Sequence, residues 1–321
     1  MASPLYTVLV TGSAGHLGAA LMLSLPSLGH VPLGIDILPS PTTTVVGSVT
    51  DRALIASLLA RNPSIAHIVH AATLHKPHVD SHPHSAFVDT NVTGTLVLLE
   101  EAASAAAALR LPRRRIASFV FISTTSAFGG ALSPRPGWPA AWIDESVAPV
   151  PKNIYGVTKC AAEDLCALAH RQSSLPVLVL RTARFFPEAD VGFGKYIISA
   201  PPPFSQPAIH HDDDDDDDDD RNGKVVNTQL LRRLDEDAGA VLREAVPECA
   251  AVFEKLGWGF LERLDRVYDS SKAVRELGWK PEWTFEKVVE RLARGEDWRS
   301  ELTHRVGKKG YHAVPTGVYT S

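Results

Sequence analysis

The chain has 321 residues, of which 45% are hydrophobic and 21% charged, an ordinary composition for a globular protein of one or two domains. Nine of the 37 acidic residues form one run, Asp212 to Asp220, and the other 28 face 32 lysines and arginines, so the rest of the chain is nearly neutral. That balance argues against a nucleic-acid partner, and no apolar run is long enough to predict a membrane span.

The beginning of the chain and its cysteines predict a cytoplasmic protein. The first residues lack the basic flank and the cleavage site of a secretory signal. Cys160, Cys166 and Cys249 are too few for a disulfide framework and contain no Cys-x-x-Cys pair. Reduced thiols are therefore expected.

The first half of the chain alternates between strand and helix patterns. Short β-branched apolar runs predict strands at 6–11, 31–37, 65–70, 119–123 and 176–180. Helical periodicity between them predicts helices at 16–25, 52–60 (capped by Asp51), 88–108 and 152–170. This alternation predicts an α/β fold, a doubly wound parallel sheet with helices on both faces.

The alternation of strand and helix patterns ends after Arg184. Prolines at 201–203 and 207 and the aspartate run predict a disordered acidic loop near 205–224, because adjacent carboxylates repel one another. His210 and His211 could bind a metal together with the run, but a solvated charged loop is the favoured interpretation. Helical pattern returns at 230–256, 270–277 and 285–294.

Three glycines, Gly12, Gly15 and Gly18, stand at three-residue spacing directly between the first predicted strand and the first predicted helix. One such position must tolerate a tight turn, one must let a phosphate approach, and one must let helix and strand pack closely. The helix start at His16 and Leu17 then offers N–H groups to a pyrophosphate. In this context the motif predicts dinucleotide binding, whereas the glycines alone would fit a simple turn.

Asp36 ends the second predicted strand, 18 residues after Gly18. A carboxylate at this place accepts hydrogen bonds from the ribose of a bound dinucleotide. Because the same charge would repel a 2′-phosphate, the position predicts NAD rather than NADP. The alternative is a solvated loop aspartate.

Tyr155 and Lys159 lie one turn apart on a predicted helix. An ammonium near a phenol lowers its pKa from about 10, so that the phenol can exchange a proton with a substrate hydroxyl during hydride transfer. The same spacing recurs at Tyr268 and Lys272, which we interpret as structural. Only Tyr155 follows a strand that ends in hydroxyl residues, at 123–126.

Taken together, these motifs resemble the NAD-dependent epimerase/dehydratase family of extended short-chain dehydrogenases/reductases, to which UDP-glucose 4-epimerase belongs. The similar segments are TGSAGHLG (11–18), GID (34–36), HAAT (70–73), NVTGT (91–95), FISTTSAFG (121–129), YGVTK (155–159), LRTARFFP (180–187) and SSKAVRELGWKP (270–281). The resemblance implies a Rossmann domain over 1–187 and a small, shortened substrate-binding region over 188–321.

The resemblance also implies the roles of further residues. Counting back from Gly129 gives Thr124 as the hydroxyl that assists Tyr155, with Ser123 and Ser126 as alternatives. Lys159 would also reach the nicotinamide ribose.

By the same resemblance, residues that follow the third predicted strand serve the cofactor and the active site. Ala71 and Ala72 would lie under it, and Asn91 would hold the backbone of the active site. Six histidines nearby, at 67, 70, 75, 78, 82 and 84, fit no zinc spacing and are predicted to be loop and strand-end residues, so no metal is expected.

Several departures from the family pattern bear on function. Thr125 and Ser126 replace the Asp-Glu pair of sugar-nucleotide dehydratases, which removes the acid that would protonate a leaving hydroxyl and disfavours dehydration. Arg184 replaces an asparagine that contacts the substrate diphosphate. Ser48 replaces an aspartate near the adenine, and whether the nearby Asp51 takes its place is left open by the sequence.

The segment between the LR motif and the tail is shorter than in the family, and GFGKYIISA (192–200) is similar to a late strand of the small domain. The leading hypothesis is an enzyme that transfers hydride on a sugar nucleotide or related hydroxy-compound, an epimerase rather than a dehydratase. The alternatives are a dehydrogenase or reductase of a small alcohol or ketone, and a non-catalytic NAD-binding protein. The resemblance implies dimerisation through a helix bundle that includes the Tyr155 helix. The apolar residues at 161, 162, 165, 168 and 169 agree with it, so a homodimer is expected.

Overall fold

A computed structural model describes residues 5–107, 116–183, 194–199, 202–204 and 228–307. These residues form two compact units. The first contains the described residues within 1–131, 148–198 and 299–321, and the second those within 132–147 and 199–298. The boundaries of these units differ from the predicted division after residue 187. A strand at 194–198 belongs to the first unit, and residues 132–147 belong to the second.

The described residues contain nine strands. In chain order they are Val8–Thr11 (β1), Pro32–Asp36 (β2), Val45–Val46 (β3), His67–His70 (β4), Ser118–Thr124 (β5), Ala141–Ile143 (β6), Val177–Thr182 (β7), Gly194–Ile198 (β8) and Arg266–Tyr268 (β9). Seven of them form one parallel sheet in the order β3-β2-β1-β4-β5-β7-β8, which is the doubly wound Rossmann arrangement that the alternation predicts.

The helices of the same residues follow the predicted alternation. They are His16–Ser24 (α1), Arg52–Arg61 (α2), His84–Phe87 (α3), Gly94–Ala107 (α4), Ile154–Ser173 (α5), Thr228–Ala245 (α6), Cys249–Leu256 (α7), Ser271–Leu277 (α8), Phe285–Ala293 (α9) and Glu301–Val306 (α10). Throughout the part of the chain that the structure describes, no helix is both long and apolar enough to cross a bilayer.

The core of the first unit lies between the sheet and its helices. Leu9, Ile35 and Ile68 come from three adjacent strands and are fully buried. Each such side chain contributes about 1.5–3 kcal/mol through removal of apolar surface from water. Strands buried on both faces explain why the predicted runs are continuously apolar rather than alternating.

Two predicted elements differ from the structure. The strand expected in the small domain at 192–200 is β8, which pairs in parallel with β7 at the edge of the main sheet. β8 thus extends the parallel sheet by one strand beyond β7. The helix expected at 88–108 begins already at His84 and contains a π-helical turn over Val88–Thr93 before α4 begins.

The second unit has its own small sheet and core. Strands β6 and β9 pair in parallel, and Leu234, Ala238 and Val267 are buried beside them. The helical pattern predicted over 230–256 corresponds to two helices, α6 and α7, separated where Pro247 cannot continue the backbone hydrogen bonds. The backbone of α6 is kinked at Asp237, whose φ and ψ are −155° and 82°.

Candidate active site

The glycine loop joins β1 to α1 as the spacing predicts, and two of its glycines are required by the local packing. Gly12 has a φ of +72°, and a Cβ there would lie 2.7 Å from the backbone nitrogen of Ala72. A Cβ on Gly18 would lie 2.0 Å from the carbonyl oxygen of Gly12. The loop therefore packs directly against Ala71 and Ala72 after β4, and α1 packs directly against the loop.

The N-terminus of α1 opens at this loop. Gly15 is its N-cap and offers no side chain to the first turn, whose N–H groups include those of His16 and Leu17. Such an end carries partial positive charge and suits an anionic phosphate. The imidazole of His16 lies 3.2 Å, by its Nε2, from the carbonyl oxygen of Gly307, so the contribution predicted for His16 falls to its backbone.

Two hydrogen bonds fix the side chain of Asp36, at the end of β2, beside the glycine loop. Its Oδ2 accepts a hydrogen bond of 3.0 Å from the N–H of Ala14, and its Oδ1 accepts one of 2.9 Å from Leu38. The carboxylate thus has a fixed orientation where a ribose would lie. Asp51 instead caps α2 by accepting from the N–H of Leu54, which gives it a structural role.

A buried hydrogen-bond network surrounds His70 at the end of β4. Thr11 Oγ1 accepts from the N–H groups of Ala71 and Ala72, and therefore donates its own proton to His70 Nδ1 at 2.8 Å. Thr95 Oγ1 donates to a backbone carbonyl, so His70 Nε2 must donate to Thr95 at 2.9 Å. This pattern assigns the neutral Nε2–H tautomer.

The electrostatic surroundings agree with a neutral His70. Burial, together with the positive charge of Lys159, lowers the pKa of His70 to about 3. The imidazole is thus uncharged at neutral pH and connects β1, β4 and α4 through directed hydrogen bonds.

Asn91 lies in the π-helical turn and connects three segments. Its Oδ1 accepts from the side chain of Thr73 and from the N–H of Leu74, each at 2.9 Å. Its Nδ2 donates to the Leu74 carbonyl at 2.9 Å and to the hydroxyl of Thr158 at 3.0 Å. Because Thr158 precedes Lys159, the amide holds the loop after β4 against the helix that carries the predicted site residues.

Tyr155 and Thr124 meet between α5 and the end of β5. Both side chains are buried, and a hydrogen bond joins them. Thr124 Oγ1 also accepts from the N–H of Ser126 at 3.1 Å, which fixes the hydroxyl. Of the three hydroxyl residues considered, Thr124 is the one that hydrogen-bonds the phenol. The hydroxyl of Ser123 instead donates to Glu163.

The pKa of Tyr155 differs from the expectation. Burial raises it above its usual value near 10, and the hydrogen bond to Thr124 offsets this only in part. Lys159 lies one turn along α5 but is occupied elsewhere. Its Nζ donates to the carbonyl of Ile122 at 2.5 Å and lies 4.0 Å above the ring of Phe121.

Lys159 itself has an unusual charge balance. Burial lowers its pKa to about 7, and the opposing influence comes mainly from Glu163, one turn further along the same helix. The ammonium is thus poised to lose its charge near neutral pH. The lowering of the phenol pKa by Lys159 stays a prediction.

The sequence analysis missed a buried ion pair next to these residues. Arg181 in β7 and Glu163 in α5 are 2% and 1% exposed and bond through Arg181 Nη2 and Glu163 Oε2 at 2.8 Å. Two signals point to it: Glu163 follows Lys159 by four residues, and Arg181 ends an otherwise apolar strand. Neither signal alone distinguishes a buried charge from an exposed one.

Other predicted features contribute less. The ring centroid of His78 lies 4.5 Å from that of His75 and 5.0 Å from that of His82. Across the described residues, no group of three His, Cys, Asp or Glu side chains could hold a metal. The second member of the other Tyr-x-x-x-Lys pair lies in α8, while Tyr268 ends β9, so the two do not share a helix.

Some predictions fall outside the described residues. These are the ones for Arg184, for the two histidines at 210 and 211, and for the acidic loop near 205–224. In the second unit, a cavity of about 360 Å³ is lined mostly by apolar residues such as Leu234 and Phe285, with Arg266 and Tyr268 at its wall.

Three comparisons with known proteins place these features in context. The family described as "NAD dependent epimerase/dehydratase family" matches residues 8–191, which is more than half of the chain. A UDP-glucose 4-epimerase from Rhizobium leguminosarum bv. trifolii is 32% identical over 182 residues, 54% of this chain and 50% of that protein. The chain thus matches only half the length of that relative.

A dTDP-glucose 4,6-dehydratase from Xanthomonas campestris pv. campestris is 26% identical over an alignment of 340 residues, covering 91% of this chain and 92% of that protein. Among solved structures, the UDP-glucose 4-epimerase of Thermotoga maritima, determined with UDP-glucose, has a TM-score of 0.56 at 17% identity. It covers 90% of this chain and 97% of that chain. At this identity the likeness establishes the shared fold.

Proposed function

Because this chain belongs to the NAD-dependent epimerase/dehydratase family, we propose that it is an NAD-dependent enzyme that acts by hydride transfer at a hydroxyl carbon of a nucleotide sugar, as an epimerase rather than a dehydratase. The observation that carries the proposal is the meeting of Tyr155, Thr124 and Lys159 at the end of β5. Thr124 ends a strand of the sheet whose first βα turn is the tightly packed glycine loop, and Tyr155 and Lys159 lie on α5.

The residues around the loop fit NAD. Gly12, Gly15 and Gly18 allow the tight turn that precedes α1, and the N–H groups of His16 and Leu17 would bind a pyrophosphate at the start of that helix. NAD, when bound, accepts a hydride from the substrate carbon and can return it.

The remaining cofactor contacts follow from the same placement. Asp36 would accept hydrogen bonds from the adenosine ribose, and Ala71 and Ala72 would form the floor beneath the cofactor. Asn91 would hold that floor through Leu74, and its contacts in the structure support this assignment.

In the proposed mechanism Tyr155 Oη takes the proton of the substrate hydroxyl while Thr124 Oγ1 holds the same oxygen. Since burial raises the pKa of the phenol, its ionised form needs a positive charge close by. Lys159 would supply that charge and would also hold the nicotinamide ribose. The proton moves from substrate oxygen to phenol oxygen, and it returns when the carbonyl is reduced.

Epimerisation is favoured over dehydration by the turn that follows Thr124. Thr125 and Ser126 stand in this 3₁₀ turn, and neither side chain can act as the carboxylic acid that loss of water needs. Returning hydride to the opposite face of a ketone needs no such acid. The proposed chemistry is therefore interconversion of two hydroxyl configurations.

The test is incubation of the purified full chain with NAD and UDP-glucose, with chromatographic detection of UDP-galactose. Tyr155→Phe should reduce the rate about 10²–10⁴-fold while leaving NAD binding by calorimetry unchanged. Tyr268→Phe is the matched control and should retain the rate. A 4-keto-6-deoxy product from dTDP-glucose would contradict epimerisation, and net reduction of NAD by a simple alcohol would support a dehydrogenase. NAD binding without turnover of any of these substrates would favour the non-catalytic alternative.

We also propose a homodimer formed through α5. Val157 and Leu168 on this helix are 48% and 39% exposed, which supports a partner for that face. Of the other residues expected there, Ala162, Leu165 and Ala169 pack into the core of their own unit. Light scattering at micromolar concentration should give twice the chain mass, and Leu168→Glu should shift it to the mass of one chain.

A further inference from the structure

One face of α5 meets the end of β5 through three contacts at four-residue spacing. They are the hydrogen bond of Tyr155 with Thr124, that of Lys159 Nζ with the Ile122 carbonyl at 2.5 Å, and that of Ser123 Oγ with Glu163 Oε1 at 2.5 Å. The first two involve residues of the proposed site. The third involves a carboxylate that the proposed mechanism does not use.

Glu163 is held in place by an unusually complete set of contacts. Arg181 Nε donates to both of its carboxylate oxygens, at 3.0 and 3.2 Å, and Arg181 Nη2 adds a third bond at 2.8 Å. The guanidinium also lies 4.8 Å from the ring of Phe128. The carboxylate therefore has one orientation, toward Ser123.

Ser123 in turn is fixed on every side. It pairs with Arg181 in the sheet register, its carbonyl accepts from Thr182 Oγ1 at 3.0 Å, and its hydroxyl donates to Glu163. Since Thr124 is the next residue, these bonds determine where its hydroxyl stands beside Tyr155.

Stability alone does not explain the ion pair. Replacing a buried ion pair with apolar residues of similar volume is often neutral or stabilising, because desolvation of both charges offsets their attraction. Arg181 Nη1 is also buried without a hydrogen-bond partner in the described residues, which adds to the cost. A fully buried pair beside reacting groups points to a role in the site.

We propose that Glu163 is a positioning residue: it supplies the buried negative charge one turn from the Lys159 ammonium and, clamped by Arg181, fixes Ser123 and thereby Thr124. This inference rests on the proposed function, since it concerns the same site. Glu163 touches neither substrate nor cofactor in this role.

The groups around Lys159 support the assignment. Burial lowers the pKa of Lys159, and Glu163 is the stronger of the two groups that raise it, ahead of Cys166. From the other side, β4 brings His70, which is held as a neutral imidazole by its two threonines. The charge on Lys159 near neutral pH therefore depends on Glu163.

The test reads the charge of Lys159 directly. The full chain is labelled with [ε-¹³C]lysine, the Lys159 signal is assigned with Lys159→Arg, and its titration is followed by NMR. We expect Glu163→Gln to lower the titration midpoint by about one pH unit and Glu163→Asp to restore most of the loss. An unchanged midpoint in folded Glu163→Gln would overturn the proposal, because a purely structural role would not move it.

A second variant keeps the test decisive if Glu163→Gln does not fold. Glu163→Gln combined with Arg181→Met removes both charges of the ion pair, so that Arg181 is not left as an unpaired buried cation. The double variant should fold, and its Lys159 midpoint should lie below that of Arg181→Met alone; equal midpoints in these two variants overturn the proposal equally.

The outcome is separable from that of the proposed function because the NMR readout needs no turnover. Absent epimerisation together with a shifted midpoint refutes the function and retains the positioning role. Where turnover is present, Glu163→Gln should move the alkaline limb of the pH–rate profile to lower pH, since Lys159 is charged only below its pKa. Ser123→Ala, which keeps the charge of Glu163, should leave that limb in place and lower the rate.

Discussion

Thr11 Oγ1 lies 2.8 Å from Nδ1 of His70, and this hydrogen bond joins the strand before the glycine loop to the strand before Ala71 and Ala72. Because Thr11 Oγ1 also accepts hydrogen bonds from the N–H groups of Ala71 and Ala72, the glycine loop and this segment share one hydroxyl. The positions of the two segments are therefore set together, although they lie 59 residues apart in the chain.

Removal of the imidazole should destabilise the protein strongly. His70→Leu leaves the hydroxyls of Thr11 and Thr95 without their buried partner, and we expect a loss of about 2–4 kcal/mol in the free energy of unfolding. Urea denaturation at pH 7.5 measures this. His84→Ala, at an exposed position in α3, is the control and should change the value by less than about 0.5 kcal/mol. Similar losses in both variants would argue against the network.

The stability of the protein should fall as the pH falls from about 6.5. The folded pKa of His70 is about 3, against an ordinary histidine pKa of 6.5, so in this range the unfolded chain binds a proton that the folded chain excludes. Wild type should lose about 2 kcal/mol more than His70→Gln between pH 7 and pH 5. Urea denaturation at each pH gives this difference. Parallel pH dependences in the two proteins would show that His70 is not buried neutral.

Substitution of Gly18 should damage the dinucleotide site by crowding. In Gly18→Ala the new methyl group meets the Gly12 carbonyl at 2.0 Å, and relief of the overlap should cost about 1–3 kcal/mol and weaken NAD binding. Gly29→Ala is the control, because it removes a glycine without crowding a neighbouring atom. Gly29 has a φ of +82° but open space around it, so its variant should lose stability through backbone strain alone and keep its NAD affinity in calorimetry.

The carboxylate of Asp36 should set the preference between the two nicotinamide cofactors. Asp36→Ala should lower NAD affinity about tenfold and narrow the ratio of NAD to NADP affinities, because the ribose loses an acceptor and a 2′-phosphate loses a repelling charge. Calorimetry with each cofactor provides the ratio. Asp51→Ala removes the cap of α2 at a cost of about 1 kcal/mol and should leave the ratio unchanged. The reverse result would assign the ribose contact to Asp51.

Much of the first unit could be predicted because its signals are local. The apolar run before Gly12 and the helix pattern after it specify β1 and α1 without reference to the rest of the chain. The place of β8 could not be obtained in this way, because its partner β7 is selected by the sheet as a whole. Likewise, the four-residue spacing of Glu163 from Lys159 does not show that Glu163 is buried and paired with Arg181.

The candidate site shows the same limit. The spacing of Tyr155 and Lys159 places them on one helix, yet spacing carries no information about burial, and burial decides the pKa values of both groups. The direction of the Lys159 ammonium toward the Ile122 carbonyl depends on how α5 lies against β5, which is a tertiary property.

The π-helical turn over Val88–Thr93 adds one residue to the helical segment between His84 and Ala107, at the point where Asn91 reaches its partners. Each residue of a helix advances the direction of its side chain by about 100°. Deletion of a single residue here would straighten the backbone and improve its local geometry, while turning the amide away from Leu74 and Thr158 by roughly that angle. A shorter, more regular helix would thus have better backbone geometry but would no longer hold the loop after β4 against α5.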